Sequence, residues 1–346
     1  MIGAAQPFSG QAPPRAKAIA LLSGGLDSTL AISAMLDQGI EVLALNFVGP
    51  FCTCSPRKPG GCHLASNVAR QLGVEIRVMS KGMDYLRVIE KPRFGRGRGL
   101  NPCIDCRIFM LRAAAIMMSE TGASFVLTGE VLGQRPMSQH RAALDLIERE
   151  SGLSGRLLRP LSAHLLDETI PEREGLVRRD LLLAIQGRSR SVQIEVARRK
   201  GIDIFGCPAG GCLLTDPLIA RRMRDVFERC PGWDMRDARL TTLGRHFRIR
   251  EGLKVILGRD SAENARLSDL AGPLPLAEFS SEPGPTAVLR GDYEESDLAA
   301  LGSLMRFYAK KARGAGVEIR LRHQDRQHVW LARESATEEQ VLGWTI

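Results

Sequence analysis

The sequence contains no long uninterrupted apolar segment. No apolar run in its 346 residues approaches the roughly 18 residues that a membrane-spanning helix needs. The first residues also lack the basic start and the apolar core of a secretion signal. We therefore expect no membrane partner and a cytoplasmic location.

The sequence also lacks internal repeats, and low-complexity composition is confined to its first residues. Residues 1–16 are rich in Gly, Ala, Pro, Gln and Ser and show no periodic pattern, so we predict a disordered tail there. The remaining length is sufficient for two or three domains, each with a core of its own.

Cysteine is abundant. Without a secretion signal, the eight cysteines are expected to be reduced, and their clustering indicates metal or sulfur chemistry more than disulfides. They form three groups and one isolated residue: Cys52, Cys54 and Cys62; Cys103 and Cys106; Cys207 and Cys212; and Cys230.

The charge balance is basic. A formal net charge of +9 favours a polyanionic partner, and RNA suits it better than a membrane does. Residues 91–102 form a Gly- and Pro-interrupted loop, and residues 172–201, which we predict to be helical, are rich in arginine. A solvated linker and a solvated helix face are the alternatives. The candidate RNA-binding residues are Arg93, Arg96, Arg98, Arg188 and Arg190.

A glycine-containing loop follows the first apolar run. Residues 18–22 read as a buried strand, two glycines follow, and Ser28 opens a predicted helix that Gly39 ends. Glycines let backbone N–H groups approach a ligand, and a helix start favours an anion, so a phosphate-bearing ligand is expected. The spacing matches neither the Walker loop nor the dinucleotide-binding fingerprint.

The order of predicted elements indicates an α/β fold with a doubly wound parallel sheet, whose ligand site lies at the carboxyl ends of the strands. A smaller α+β domain is predicted after Pro231-Gly232. In the first domain the predicted strands are 18–22, 41–48, 74–80 and 125–128, and the predicted helices include 63–72 and 105–120. In the second domain two short strands are predicted around Glu251-Gly252, a helix over 298–311, and further strands over 317–321 and 328–331.

Four segments carry a resemblance to known families. Ser23-Gly24-Gly25-Leu26-Asp27-Ser28 resembles the SGGxDS loop of the N-type (PP-loop) ATP pyrophosphatases. The segments 101–106 (NPCIDC), 128–139 (TGEVLGQ followed by SQ) and 158–161 (LRPL) resemble, in the same order, those of the tRNA thiouridylases of the ThiI and MnmA types.

A second resemblance lies near the C-terminus. The segment 255–264, with Gly258-Arg259 and Glu263-Asn264, is similar to the GRxxxEN segment of NFACT-type RNA-binding domains. The THUMP and rhodanese domains of ThiI proteins are not visible in this sequence. The resemblances imply a HUP-like PP-loop domain over residues 17–229 and an NFACT-like domain over residues 246–346.

The resemblance implies an ATP site. Asp27 would hold Mg²⁺ that bridges phosphate oxygens, or cap the helix, or both. The backbone and hydroxyl donors of the loop would bind phosphate, and a second segment would form the other wall. These residues are Ser23, Gly24, Gly25 and Ser28 in the loop, and Thr128, Gly129, Glu130 and Gln134 in the second wall.

The cysteines admit two sulfur mechanisms. Cys103 and Cys106 begin a helix, a position that favours thiolate. In one mechanism a cysteine carries a persulfide and a second cysteine, with Cys106 and Cys212 as the working pair, releases the sulfur by forming a disulfide. In the other, which the resemblance favours, Cys103, Cys106 and Cys212 (Cys207 in reserve) hold a 4Fe-4S or 3Fe-4S iron–sulfur cluster.

Zinc is an alternative at two places. Cys207 could complete a structural zinc site with the three cysteines just named. Cys52, Cys54 and Cys62, with His63, could form another, although unligated thiols in a loop are an equal interpretation.

The expected function is ATP-dependent tRNA sulfur transfer, in which a uridine is adenylated and its oxygen is replaced by sulfur from sulfide or from a cysteine desulfurase persulfide. A ligase of the 7-cyano-7-deazaguanine synthase type and a non-catalytic RNA- or nucleotide-binding protein are the alternatives. The sequence does not specify the modified position, the sulfur donor or the oligomeric state.

Overall fold

The computed structural model describes residues 16–52, 63–203, 205, 211–309 and 316–346. Cys54, Cys62 and Cys207 therefore lie outside the described residues, as does the predicted tail apart from its last residue.

The first domain is built on a parallel sheet. Within the described part of the chain it has five strands in the order β3-β2-β1-β4-β5. The crossover from β3 to β4 places strands on both sides of β1, as predicted for a doubly wound sheet. The strands are β1 (Lys17–Leu21), β2 (Glu41–Val48), β3 (Glu75–Ser80), β4 (Phe125–Thr128) and β5 (Leu157–Leu158).

Helices cover both faces of this sheet. In β1, Ala18 and Ala20 pack into one apolar cluster, while Ile19 and Leu21 pack into another on the opposite face. Alternate side chains of a strand point to opposite faces, so the apolar run that follows Lys17 in β1 reflects the central position of this strand. The helices are α1 (Leu26–Leu36), α2 (His63–Leu72), α3 (Met83–Glu90), α4 (Cys103–Thr121) and α5 (Arg141–Glu150).

The continuous helix predicted over residues 172–201 is wrong. The structure has α6 (Ile170–Arg173), a 3₁₀ turn at Arg179–Leu181 and α7 (Ser191–Arg199). Gly175 and Gly187 have φ values of +71° and +82° between these pieces, a left-handed conformation that ends a helix. The helix was predicted from the arginine content of the segment, which lacks the sustained apolar period of a helix.

The C-terminal domain is an antiparallel sheet with helices. Its strands follow the order β11-β10-β8-β9-β7-β6 in the described chain. Two helices precede it, α8 (Pro217–Arg229) and α9 (Met235–Leu240). The other elements are β6 (Arg245–Arg250), β7 (Leu253–Leu257), α10 (Ser261–Ala271), β8 (Leu276–Phe279), β9 (Ala287–Arg290), α11 (Glu295–Tyr308), β10 (Val317–His323), β11 (Arg326–Ala332) and α12 (Glu338–Trp344).

Buried ion pairs join the two domains. Asp225 on α8 accepts hydrogen bonds from Arg248 at 2.7 Å and from Lys254 at 2.7 Å, both on the C-terminal sheet. Arg222, one helical turn earlier, donates to the carbonyls of Thr241 and Gly244. Removing the C-terminal domain would therefore leave Asp225 without its cations, a change that costs stability.

No helix among the described residues is both long enough and apolar enough to cross a bilayer.

Candidate active site

The glycine loop connects the carboxyl end of β1 to α1. Helix α1 begins at Leu26, and its N-cap is Gly25. Asp27 lies in the first helical turn, so the alternative that Asp27 caps the helix is wrong. A carboxylate in the first turn still interacts favourably with the helix dipole.

The two serines and the glycines make a compact turn. The Oγ of Ser28 donates to the carbonyl of Gly25 at 2.9 Å and lies 3.2 Å from the Oγ of Ser23. Gly24 has φ +75°, and a Cβ there would lie 2.9 Å from the backbone N of Ala65. Gly24 is therefore required both by its conformation and by the close approach of α2.

Gly129 brings a second segment directly against the loop. A Cβ on Gly129 would lie 2.5 Å from the carbonyl carbon of Asp27, and it would also collide with the backbone N of Ser28. The side-chain amide of Gln134 donates to Asp27 Oδ2 at 3.1 Å. The structure thus brings together the loop and the segment predicted to form its second wall.

Glu130 is directed into the protein. It is 2% exposed, and its carboxylate lies 3.3 Å from Arg159 and 3.4 Å from Arg107. Thr128 donates to the same carboxylate at 3.2 Å. This arrangement fixes the loop that follows β4, and an ATP contact by Glu130 or Thr128 stays a prediction.

Three arginines, which we call the arginine group, lie close to one another beside the loop: Arg107, Arg135 and Arg190. Arg190 lies 3.8 Å from Asp27 Oδ2, and Arg107 pairs with Glu130. Burial is the main cause that lowers the pKa of Arg135; the charges of Arg107 and Arg190 lower it further, while Cys103 and Asp27 oppose the shift. Cations held this close together favour a bound polyanion.

Asp27 has one oxygen available for a ligand. Its Oδ1 is buried and has no hydrogen-bond partner in the described structure. A buried carboxylate oxygen without a donor is costly, and Mg²⁺ takes such oxygens as ligands. The residues present therefore fit the magnesium role predicted for Asp27.

Cys106 receives two hydrogen bonds at the start of α4. The ammonium of Lys81 and the hydroxyl of Tyr85 each donate to Cys106 Sγ at 3.3 Å. Lys81 directly follows β3 and is 7% exposed, and Tyr85 lies on α3. Two donors, one of them cationic, would stabilise negative charge on this sulfur.

Cys212 lies beside Cys106 and Cys52. Burial raises the pKa of Cys212 to about 12; the charges of Cys106 and Cys52 act in the same direction, and Lys81 acts against them. Burial likewise raises the pKa of Tyr85 well above its usual value, with further contributions from Cys106, Cys212 and Cys52. Three thiols therefore share one partly buried space with Lys81 and Tyr85.

Cys103 is the first residue of α4, three positions before Cys106. Its sulfur accepts a hydrogen bond from the amide of Asn101 at 2.9 Å. Burial and the neighbouring Cys106 raise the pKa of Cys103, while Arg107 and Arg135 act against them. Cys103 thus lies between the arginine group and the thiols around Cys106.

Metal binding depends on which of the described side chains converge. No three Cys, His, Asp or Glu side chains among them converge as ligands of a single ion, so three of the four thiols of the predicted zinc site do not meet. In an iron–sulfur cluster each thiolate binds a different iron, so the thiolates need not converge on one ion. Cys103, Cys106 and Cys212 supply the kind of ligand, cysteine thiolate, that such a cluster uses.

Sequence reasoning missed Lys81, Tyr85, Arg107 and Arg135, and it placed Cys52 only in the alternative zinc site with Cys54, Cys62 and His63 or among unligated thiols. Lys81 carried a usable signal, because it immediately follows a strand at the edge where doubly wound sheets bind ligands. Arg107 carried another, since it follows the CxxC pair within the predicted helix. Tyr85 lies on α3, which was not predicted. Cys52 is joined to Cys212 by a backbone bridge between segments 160 positions apart, for which no local pattern exists.

The predicted RNA-binding arginines are separated in the structure. Arg93 pairs with Glu150 at 2.8 Å, and Arg96 donates to the backbone of Ile89 and Glu90. Arg98 and Arg188 are exposed. Arg190, in contrast, belongs to the arginine group beside Asp27.

The GRxxxEN segment of the C-terminal domain has a structural role. Asn264 Oδ1 accepts from the backbone N of Thr286 at 3.1 Å, and its Nδ2 donates to the carbonyl of Gly284 at 3.0 Å. Arg259 pairs with Glu263 on the first turn of α10. The motif therefore fixes the connection between β8 and β9.

Two family models match the chain. Residues 14–170 match the model described as thiamine biosynthesis protein (ThiI), and residues 244–345 match the model described as NFACT protein RNA binding domain. The chain thus carries a ThiI-type domain followed by an NFACT-type domain, as the motifs had predicted.

Curated relatives match part of the chain. A probable tRNA sulfurtransferase of Methanothermobacter thermautotrophicus is 30% identical over 119 residues, which are 34% of this chain and 30% of that protein. The tRNA-specific 2-thiouridylase MnmA of Acidothermus cellulolyticus is 30% identical over 166 residues, 43% of this chain and 45% of that protein. The chain spans less than half the length of either relative.

Among solved structures, a 4-thiouridine synthetase–RNA complex with bound ATP is similar, with a TM-score of 0.39 and 23% identity. The match covers 60% of this chain and 50% of that one.

Proposed function

We propose that this protein is an ATP-dependent tRNA sulfurtransferase that adenylates a uridine and replaces its oxygen with sulfur. The observation that carries the proposal is the position of Arg135. Its guanidinium interacts electrostatically both with Asp27 of the glycine loop and with Cys103 of the CxxC pair. This shared neighbour supports a site in which nucleotide activation and thiol chemistry act on the same substrate.

Adenylation makes the uridine oxygen a good leaving group. The uridine carbonyl oxygen attacks the α-phosphate of ATP, pyrophosphate leaves, and the oxygen stays with AMP in the next step. Donors of the loop around Ser23 and Ser28 would bind phosphate oxygens, and the arginine group would stabilise the charge that develops on pyrophosphate. Asp27 would hold Mg²⁺, which neutralises phosphate charge when bound.

The thiols would supply the sulfur. In the persulfide route, the terminal sulfur on Cys106 attacks the activated carbon and AMP leaves. Cys212 then attacks the Cys106 sulfur, so that a Cys106–Cys212 disulfide forms and the transferred sulfur stays on the uridine. Lys81 and Tyr85 would stabilise the sulfur anion at Cys106, and a dithiol reductant would restore both thiols.

The iron–sulfur route remains the second proposal for the same residues. Cys103, Cys106 and Cys212 would hold the cluster, with Cys207 in reserve, and the cluster would bind and activate inorganic sulfide when present. Both routes use Cys106 and Cys212. They differ in whether Cys103 is essential and in whether the purified protein contains iron.

RNA binding is proposed for the exposed face of β10 and β11 in the C-terminal domain. Arg320 on β10 is exposed, and its cross-strand partner on β11 is Val329, which is 45% exposed. Leu331, 50% exposed, lies on the same face. Cations next to apolar side chains suit an RNA backbone with unpaired bases. The basic charge and the NFACT-type match support tRNA as the partner, and a cytoplasmic location stays a prediction.

Pyrophosphate release tests the nucleotide half of the proposal. Wild type and Asp27→Ala are incubated with ATP, Mg²⁺ and unmodified tRNA. We expect tRNA-dependent pyrophosphate from wild type, and loss of it in Asp27→Ala with an unchanged melting temperature, because the ligand-facing carboxylate is lost without disturbing the core. Glu338→Ala, which removes an exposed acid from the first turn of α12, should behave as wild type. Normal release by Asp27→Ala would exclude Asp27 from the site.

Iron content tests the sulfur half. Anaerobically purified protein that contains about three or four irons per chain, lost in single Ser variants of Cys103, Cys106 and Cys212, would support the cluster. Iron-free protein that thiolates tRNA and depends on Cys106 and Cys212 but not on Cys103 would support the persulfide route.

A further inference from the structure

Cys52 lies outside the site as the sequence predicted it, yet the backbone joins it to that site. Cys52 and Cys212 are opposite each other in an isolated antiparallel bridge, and the backbone N of Leu213 donates to the carbonyl of Phe51 at 3.0 Å. Residues directly opposite in an antiparallel pair have side chains on the same face, with Cβ atoms about 4.5–5.5 Å apart.

This separation suits a disulfide. Disulfide-bonded cysteines have Cα atoms about 4.4–6.8 Å apart, a range that includes directly opposed antiparallel residues at about 4.5–5.5 Å. Cys52 and Cys212 could therefore be joined with little backbone movement. The bridge is also fixed from the Cys212 side, because Thr215 donates from its backbone N to the carbonyl of Cys212 at 2.9 Å.

Among the described residues, Cys212 thus has two thiol neighbours. Cys106 approaches from the start of α4, and Cys52 from the segment after β2. The electrostatic effects of both sulfurs on Cys212 and on Tyr85 place the three thiols in one space. Among them, Cys106 is the sulfur with hydrogen bonds from both Lys81 and Tyr85.

We propose that Cys52 is a third working thiol, which takes over the disulfide from Cys106 after sulfur transfer. The inference rests on the persulfide form of the proposed function. The Cys52 sulfur attacks Cys212 in the Cys106–Cys212 disulfide; a Cys52–Cys212 bond forms, the Cys106–Cys212 bond breaks, and Cys106 leaves as a thiolate that gains the proton Cys52 gave up.

The exchange needs no external oxidant or reductant, because one disulfide replaces another. Its direction follows from the hydrogen bonds: Lys81 and Tyr85 stabilise Cys106 as the leaving thiolate. Cys106 is then ready to accept the next sulfur while the Cys52–Cys212 disulfide is reduced by an external dithiol.

Disulfide mapping tests the pairing without ATP, tRNA or a sulfur donor. The native full-length chain is oxidised with diamide, remaining thiols are alkylated, and disulfide-linked peptides are identified by mass spectrometry without reduction. We expect Cys52–Cys212 as the predominant linkage in wild type and in Cys106→Ser, and Cys106–Cys212 in Cys52→Ser. Cys230→Ser, which removes a buried cysteine elsewhere, should leave the wild-type pattern unchanged.

The results distinguish this inference from the proposed function. Pairing of Cys212 with any cysteine other than Cys52 in oxidised wild type would overturn the inference, whatever the activity. Persulfide loading supplies the second readout: after one thiolation turnover without dithiol, wild type should accept a second sulfur on Cys106, whereas Cys52→Ser should not, because its Cys106 stays in the disulfide with Cys212. Equal loading of Cys106 in both proteins would contradict the relay, and absent thiolation in wild type would instead count against the proposed function.

Discussion

Replacing Gly129 by alanine should separate the two walls of the nucleotide site. The added Cβ would lie 2.5 Å from the carbonyl carbon and 2.6 Å from the carbonyl oxygen of Asp27, whereas Cβ contacts below 3.0 Å are essentially never seen. Gly129 is not among the glycines with positive φ, so its own backbone would accept alanine and the effect comes from the contact alone.

The magnitude follows from this overlap. The loop and the second wall must separate by roughly half an ångström, and inserting one methyl group into a packed site costs about 1–3 kcal/mol. If that cost falls on the arrangement in which the two walls are in contact and ATP binds, ATP affinity decreases by about fivefold to about a hundredfold. Calorimetric titration with a non-hydrolysable ATP analogue measures the change, and thermal unfolding shows how much of the cost falls on global stability.

Gly343→Ala is the matched control, because a Cβ at this helical glycine meets nothing within 4 Å. We expect unchanged ATP affinity there and a gain of up to about 1 kcal/mol in stability. If Gly129→Ala bound the analogue as tightly as wild type and melted at the same temperature, the close contact between the two walls would be refuted.

Three other predictions concern separate parts of the molecule. Lys81→Met keeps the length of the side chain and removes the donor to Cys106. It should leave tRNA-dependent pyrophosphate release within about twofold of wild type but lower thiouridine formation by at least about tenfold. Equal loss of both products would place Lys81 in the nucleotide step. Replacing Arg320 and Arg322, which lie on the same exposed face of β10, by glutamine should weaken tRNA binding and make its salt dependence shallower by up to about two units of log–log slope, as titrations at several salt concentrations would show, while ATP affinity should not change; an unchanged slope would exclude this face. Burial, with the charges of Lys254 and Arg222, holds the pKa of His246 well below its usual value. Below about pH 6.5 the unfolded chain therefore binds a proton on His246 that the folded protein does not bind. The free energy of unfolding should fall there as the pH drops, by up to about 1.4 kcal/mol per pH unit. His246→Gln should have a shallower acid slope in urea titrations, and an equal slope in both proteins would contradict this explanation.

The sequence predicted the first sheet well because its strands are short apolar runs between turn signals. β2 and β4 have the predicted bounds, β3 differs by one residue at its start, and β1 is shifted by one residue at both ends. The parallel order followed from the alternation of strands and helices. The glycine loop and its approach to Gly129 were also accessible, since both belong to contiguous motifs.

The remaining features depend on contacts between distant segments. β8 and β9 are four residues each and were not predicted, because their pairing partners rather than their composition define them. The environment of Cys106 combines Lys81 after β3 with Tyr85 from α3, and Cys52 reaches Cys212 through a bridge between distant loops. The charge-rich segment before Cys207 was misread as one helix because its glycines were given too little weight.

Formation of thiolated uridine is the direct test of ATP-dependent sulfur transfer to tRNA by this protein. tRNA from a strain lacking this gene is incubated with the purified protein, ATP, Mg²⁺ and either sulfide or a persulfide donor, then digested to nucleosides and analysed by mass spectrometry. We expect the purified protein to form a thiouridine only with ATP, and the Asp27→Ala and Cys106→Ser variants to form none. The same thiouridine should be absent from tRNA of the deletion strain. Identical thionucleosides in deletion and parent strains, with no thiouridine formed by the purified protein with either donor, would contradict it.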